Sequence, residues 1–192
     1  MSARLFIILS VIGLGALFVL PLWKISLVVP QYPQDISIYL HINKIEDGSK
    51  KALMIMNVLN HNVGMKEIKP EEFSEFAIFP IVVAGFIISG LSLVFLSLPR
   101  WATGAWVILL LTASAVAMFD FYLWLYDFGH NLDPEAALKI EGQSFQPPII
   151  GVRKVVNLEV HSFPSWGALA VLGSLIAGAF GWIKQKQNEQ HT

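Results

Sequence analysis

Four stretches of this chain carry no charge: 5–23, 76–98, 101–119 and 162–183. Each approaches the roughly 20 residues that a helix needs to cross about 30 Å of hydrocarbon. Two long polar segments, 24–75 and 127–161, separate the first span from the second and the third from the fourth; only a short turn around Arg100 joins the middle two. The pattern predicts an integral membrane α-helical protein with four transmembrane helices. The first occupies 1–23 and the second 76–98. The third lies with its preceding turn in 99–126, and the fourth lies with a polar tail in 166–192. The loops 24–75 and 127–165 are expected to fold together as a small mixed α/β cap.

Within the first loop, Ile36, Ile38, Leu40 and Ile42 alternate with Ser37, Tyr39, His41 and Asn43, the period-two signature of a strand. Asp47-Gly48 is a turn dipeptide. The apolar run 52–59 after it suits either a second strand or a short helix. Pro70-Glu71-Glu72 reads as a helix start, with proline in the first turn and acids against the dipole. Pro80 is expected to break or kink the helix that follows. In the second loop, Asn131-Leu132-Asp133-Pro134 and Gln146-Pro147-Pro148 are turn-rich, and a short strand is expected over 155–160. Small residues repeat at spacing four, at Gly173, Ala177 and Gly181 and at Gly85 and Ser89, which predicts close helix packing.

Composition agrees with a membrane protein: 55% of the residues are hydrophobic and only 14% charged, with mean hydropathy +0.60. Soluble domains carry about 25% charged residues. Arg4, Arg100, Lys184 and Lys186 lie in the termini and the short turn, while the two long loops hold the acidic excess. The positive-inside rule then places both termini in the cytoplasm and both loops outside. Trp23, Trp101, Trp124, Trp166 and Trp182 fall near span ends, as interfacial anchors. Arg4 before an apolar stretch also resembles a signal peptide, but Leu20-Pro21-Leu22-Trp23-Lys24 lacks a small-residue cleavage site, so an anchor is the expectation. Without cysteine there are no disulfides, thiolate metal sites or attached c-type haem. A bacterial inner membrane with periplasmic loops suits such a chain. The net charge of −1 gives no reason to invoke nucleic acid.

Four of the five histidines, His41, His61, His130 and His161, fall in the two outward loops or at their edges; His191 belongs to the polar tail. His61 and Met65 are four apart, which on a helix turn would give them one face, although Gly64 suggests a tight loop instead; Met54 and Met56 lie upstream, and imidazole with thioether is a ligand set for copper, particularly the cuprous ion. The plainer reading of such a pair is core packing or a hydrogen-bonded loop. At the mouth of the third span Asp127 is placed to orient His130, as carboxylates orient metal-bound imidazoles; the plainer reading has Asn131 or Asp133 capping a turn and His130 meeting a carbonyl. Asp120 is the one ionisable residue well inside a span, which makes it a candidate for proton transfer or for a structural hydrogen bond. His41 and His161 sit at strand positions and count only as further ligands. The chain shows no nucleophile–base pair, phosphate loop or dense metal motif, so it is not expected to be an enzyme.

The segments Leu59-Asn60-His61-Asn62-Val63-Gly64-Met65, Phe128-Gly129-His130-Asn131-Leu132-Asp133-Pro134 and Phe145-Gln146-Pro147-Pro148-Ile149-Ile150-Gly151 together resemble small multi-spanning membrane proteins of the NosB type, encoded beside nitrous oxide reductase in bacterial nos clusters. The resemblance covers 21–166. It implies a non-enzymatic accessory role in maturing, or supplying copper to, a periplasmic copper enzyme, with that enzyme or its maturation proteins as partners beside membrane lipid. The candidate copper ligands are His61, Met65 and His130, then His41 and His161. Two other classes remain open: a structural or assembly subunit of a larger membrane complex, and a quinol- or proton-handling subunit using Asp120, Asp127 and His130.

Overall fold

Away from water an unpaired peptide group is costly, and a helix pairs its own backbone internally, so long charge-free stretches fold as helices. The computed structural model describes residues 2–32, 34–96, 98–136, 145–155 and 158–189. In it α3 (Glu75–Phe95), α4 (Arg100–His130) and α5 (Trp166–Glu189) are long and apolar enough to cross a membrane. Their most apolar windows are only 17–22% buried, which leaves wide apolar faces that a bilayer accommodates and water does not. The first apolar helix is shorter than expected. α1 (Ala3–Gly15) passes into a 3-10 turn, Ala16–Phe18, and spans about 25 Å by helical rise. Val19 to Leu22 then unwind around Pro21, which cannot donate to a helical ladder, and Trp23 opens a strand.

Short as it is, α1 is deeply enclosed: Ile7 and Ser10 are fully buried and Leu14 nearly so. It packs on α3 and α5, and α4 packs on the same two helices, closing a four-helix arrangement. The close approach between α1 and α5 runs through Gly13 against Ser174, Ser10 against Gly178, and Ile7 against Gly181. Ser10 Oγ donates to Ser174 O at 2.6 Å across it. Gly173 and Gly85, expected at helix contacts, instead face open space. Of the positions expected on α5, Gly181 does pack against α1; Ser174 and Gly178, rather than Gly173, complete that contact. Ser89 does join a contact, accepting from Trp106 Nε1 at 3.1 Å. Pro80 lies inside α3 without ending it, and Pro70–Glu72 forms a 3-10 turn ahead of that helix.

Above the helices sits a head built from both long loops. Its five-stranded antiparallel sheet has the order β3-β2-β1-β5-β4, with β1 Trp23–Val28, β2 Ile36–Leu40, β3 Ile45–Asp47, β4 Gly151–Val155 and β5 Leu158–Pro164. The alternation over 36–40 holds, but the strand stops at Leu40. His41 turns the chain, its N–H bonded to Lys44 O at 2.9 Å. Of the strand expected over 155–160, Val155 ends β4 and 158–160 open β5, with Val155 paired to Leu158, while 156 and 157 lie outside the described residues. The ambiguous run after Asp47-Gly48 is a helix, α2 (Ala52–Asn62), and Asp47 Oδ1 accepts the Leu53 N–H at its first turn.

β1 leaves α1 and β5 enters α5, so the α1–α5 pair continues upward as the β1–β5 ladder. Ser165 N–H to Leu22 O and Gly167 N–H to Pro21 O close the seam between the two. At 31 residues α4 is about 46 Å long, well beyond the roughly 30 Å of hydrocarbon. Its last turns rise into the head, where Leu125 and Phe128 share one core with Ile25, Ile38 and Met56.

Candidate functional site

The C-terminal end of α4 is where distant parts of the chain meet. The Gly64 backbone, at φ +78°, takes the left-handed conformation that favours glycine, and its carbonyl accepts the Asp133 N–H at 2.8 Å. A Cβ at Gly64 would lie 2.8 Å from Ala136 Cβ. On the other side Gly129 O accepts the Phe145 N–H at 3.0 Å, and the Gln146 backbone passes directly over the bare Gly129 Cα. Segment 128–134 is thus bonded both to 59–65, far back in the chain, and to 145–151, which follows it closely. Asn57 of α2 fixes the chain that returns after the Gly64 turn, accepting from Ile68 N–H at 2.8 Å and donating to Ile68 O at 3.0 Å.

The candidate ligands divide around this junction. His61 is exposed on α2, whereas Met65 is partly buried and packs against the head core. The tight loop expected at Gly64 is present: α2 ends at Asn62 and the turn at Gly64 sends Met65 inward, so the two do not share a helix face. His130 is exposed on the last turn of α4, its ring stacked on Tyr126 at 4.0 Å between centroids and Nδ1 3.0 Å from Tyr126 O. Asp127 does not hold His130. Its Oδ2 meets Lys66 Nζ at 2.6 Å and its Oδ1 accepts from Asn131 Nδ2, and the Lys66 ammonium holds the carboxyl below its ordinary range. Asp133 Oδ1 accepts the Glu135 N–H at 2.8 Å, so the turn-capping reading describes this corner. Asp120 lies further down α4, partly buried, in the field of Glu75.

The other two histidines lie away from the junction. His161 is in β5 between Ser26 and Val152, with Nε2 3.6 Å from Glu159 Oε2. His41 is buried at the β2–β3 turn, Nε2 3.5 Å from Glu46 Oε2. His191 lies outside the described residues. Among the described residues no three His, Cys, Asp or Glu side chains gather as a metal group.

Burial, reinforced by the Lys44 ammonium and opposed by Glu46, pushes the His41 imidazole below its ordinary 6.5. The folded chain then binds fewer protons here than the unfolded chain. The stability this ring contributes is complete above pH 6.5 and is lost as the pH falls through the lowered folded value. The thermal unfolding midpoint in detergent is expected to fall below pH 6.5, and a His41→Gln variant is expected to show a shallower acid slope. Equal slopes in the two proteins would refute the assignment.

Behind the junction a cavity of about 470 Å³ opens between the inner face of the sheet, α2 and the top of α4. Ile25, Leu27 and Val29 project into it from and just beyond β1, with Met56, Met65 and Phe145 opposite. Sequence reading missed β1, although Trp23-Lys24-Ile25-Ser26-Leu27 already alternates. The apolar run of α1 leads straight into it and conceals the change of period.

Comparison of the chain with family models, with curated proteins and with solved structures finds no match.

Proposed function

We propose that this chain is a non-catalytic membrane accessory protein that acts through its head in the maturation or copper supply of a periplasmic copper enzyme of the nitrous oxide reductase type. The observation that carries the reading is the convergence of the three segments behind the family resemblance on one corner at the end of α4. In this reading α1 is a fourth span in a bacterial inner membrane, with both termini cytoplasmic and the head periplasmic. Its support is the run of α1 along α5 from Gly181 to Gly13, and the placing of Arg100 against Trp182, 5.3 Å from the ring, at the end of the bundle away from the head.

Exposed His61 and His130 flank the corner and are the residues offered for transient cuprous ion transfer, with Met65 beneath them. Titration of the purified protein with cuprous ion against a competing chelator is expected to show binding that weakens at least about tenfold in His61→Ala/His130→Ala, a loss of roughly 1.4 kcal/mol. Unchanged binding in that variant would remove the metal role. The accessory role is read separately, as a lower copper content of the periplasmic enzyme in cells lacking this chain. A purely structural subunit is the second reading, favoured by the inward turn of Met65 and the engagement of Asp127 with Lys66. It requires a stoichiometric membrane partner and no copper dependence.

A further inference from the structure

An exposed histidine ordinarily swings among rotamers and shares its proton between two ring nitrogens. His130 is held at every joint. Its backbone is fixed on both sides: Gly129 O accepts the Phe145 N–H, and Asn131 reaches back to Asp127 through its own N–H, at 3.0 Å, and through its side-chain amide. Lys66 anchors Asp127 in turn. The His130 ring lies on Tyr126 at 4.0 Å between centroids and 18° between planes, with Nδ1 3.0 Å from Tyr126 O. Tyr126 itself packs on Tyr122, one turn below, at 6.2 Å between centroids.

A carbonyl oxygen only accepts, so the neutral ring must present Nδ1–H to Tyr126 O. The bond at one ring nitrogen sets the state of the other, which leaves the lone pair on Nε2. Without such a bond, a neutral imidazole in water favours the proton on Nε2. His130 is exposed, and Nε2 has no hydrogen-bond partner among the described residues. His61 offers the contrast: its exposed side chain makes no hydrogen bond, ion pair or ring contact with the described residues. One imidazole is preset and the other is free to turn. The Asp127 carboxylate, one turn back from His130, is engaged by Lys66 and Asn131. That turn therefore offers no free oxygen ligand of the kind calcium or magnesium seeks, whereas a neutral imidazole nitrogen suits copper.

The geometry points to unequal roles for the two histidines: cuprous ion is taken at Nε2 of His130, the preset ligand, and Tyr126 is the positioning residue that holds the ring. The inference rests on the copper reading above and adds to it which nitrogen binds and what orients it. A metal-bound imidazole gains orientation and basicity from a partner on its other nitrogen, and here that partner is the Tyr126 carbonyl.

The test uses the full chain in detergent micelles with isotope-labelled histidine rings, read by nitrogen NMR at a pH above the imidazole range, with cuprous ion as the probe. His130→Gln identifies the His130 signals. The unaltered protein is expected to carry the His130 proton on Nδ1 before copper is added. Cuprous ion is then expected to shift the Nε2 signal and leave Nδ1 protonated. Tyr126→Leu keeps the backbone carbonyl but loses the stacked ring. It is expected to move part of the proton to Nε2 and to weaken cuprous binding roughly tenfold, the lower end for outer partners of metal ligands. Tyr126→Phe keeps the stack and is expected to match the unaltered protein. A proton on Nε2 of the copper-free protein would overturn the proposal, and this readout needs no variant of Tyr126 to fold. So would a folded Tyr126→Leu that binds as tightly as Tyr126→Phe. Binding that depends on His61 while His130 Nε2 stays unmoved would overturn it and leave the copper reading standing; no binding at all would end both.

Discussion

Gly129→Ala is expected to destabilise the head by about 1–3 kcal/mol, the usual cost of forcing an added methyl group into a packed site. Gly129 is buried near the end of α4, and a Cβ there would overlap the backbone N and Cα of Gln146. Backbone cannot rotate aside as a flexible side chain can, and Phe145 N–H is tied to Gly129 O at 3.0 Å, so the whole 145–147 crossing must lift. Alanine is otherwise the better helix former by nearly 1 kcal/mol, a gain that opposes the clash without cancelling it. The control is Gly173→Ala on α5, where a Cβ meets nothing and the helix preference acts alone. Detergent-solubilised protein followed by tryptophan fluorescence should lose thermal stability in the first variant and keep or gain it in the second. Equal behaviour of the two would show that the crossing over Gly129 is not packed as described.

Trp23→Ala is expected to cost more, about 3–5 kcal/mol, as large aromatic deletions from cores do. Trp23 stands where the helices give way to the sheet, buried at the start of β1 with its ring 5.3 Å from Phe121 of α4. Its indole N–H donates to Ser162 Oγ at 2.8 Å, and Ser162 in turn donates to Ile149 O at 2.9 Å. One side chain therefore ties β1, β5, α4 and the approach to β4. Trp23→Phe separates the contributions: it keeps an aromatic ring against Phe121 and loses the donor, so it should cost roughly 1 kcal/mol plus the packing change. Limited proteolysis distinguishes the outcome from general unfolding. Trp23→Ala should expose cleavage sites in the head, at 24–70 and 145–164, while α3 to α5 stay protected in their detergent. Cleavage no faster than in the unaltered protein would remove Trp23 from this role.

The long helices were legible because a charge-free run of bilayer length leaves a chain few options. The expected 76–98, 101–126 and 166 onward correspond closely to α3, α4 and α5. The end of α1 was not legible by the same rule, since hydrophobicity runs on from helix through turn into β1. The lone signal was Pro21, followed by the alternation from Trp23. The candidate site followed a similar division. Turn chemistry at Gly64 and Asp133 could be read locally, and the structure joins those two turns. Pairings set by the fold could not be read: Asp127 prefers Lys66, 61 positions away, to His130 in the next turn of its own helix. Nor does spacing reveal a cavity whose walls come from β1, α2, α4 and the segment at Phe145.

The pairing of β1 with β5 also fixes an order of events during synthesis. The central strand of the sheet is made early, just after α1, yet its partner is not made until α2, α3 and α4 have followed; Trp23 and Ser162 are 139 positions apart. Closing so long a loop is entropically slow, and until then β1 has only the local β2 hairpin for company. Three apolar helices must therefore be in place before the head can finish. The head can close as soon as those three helices and β5 are made, ahead of α5, and a chain interrupted anywhere before β5 leaves the edge of its central strand bare.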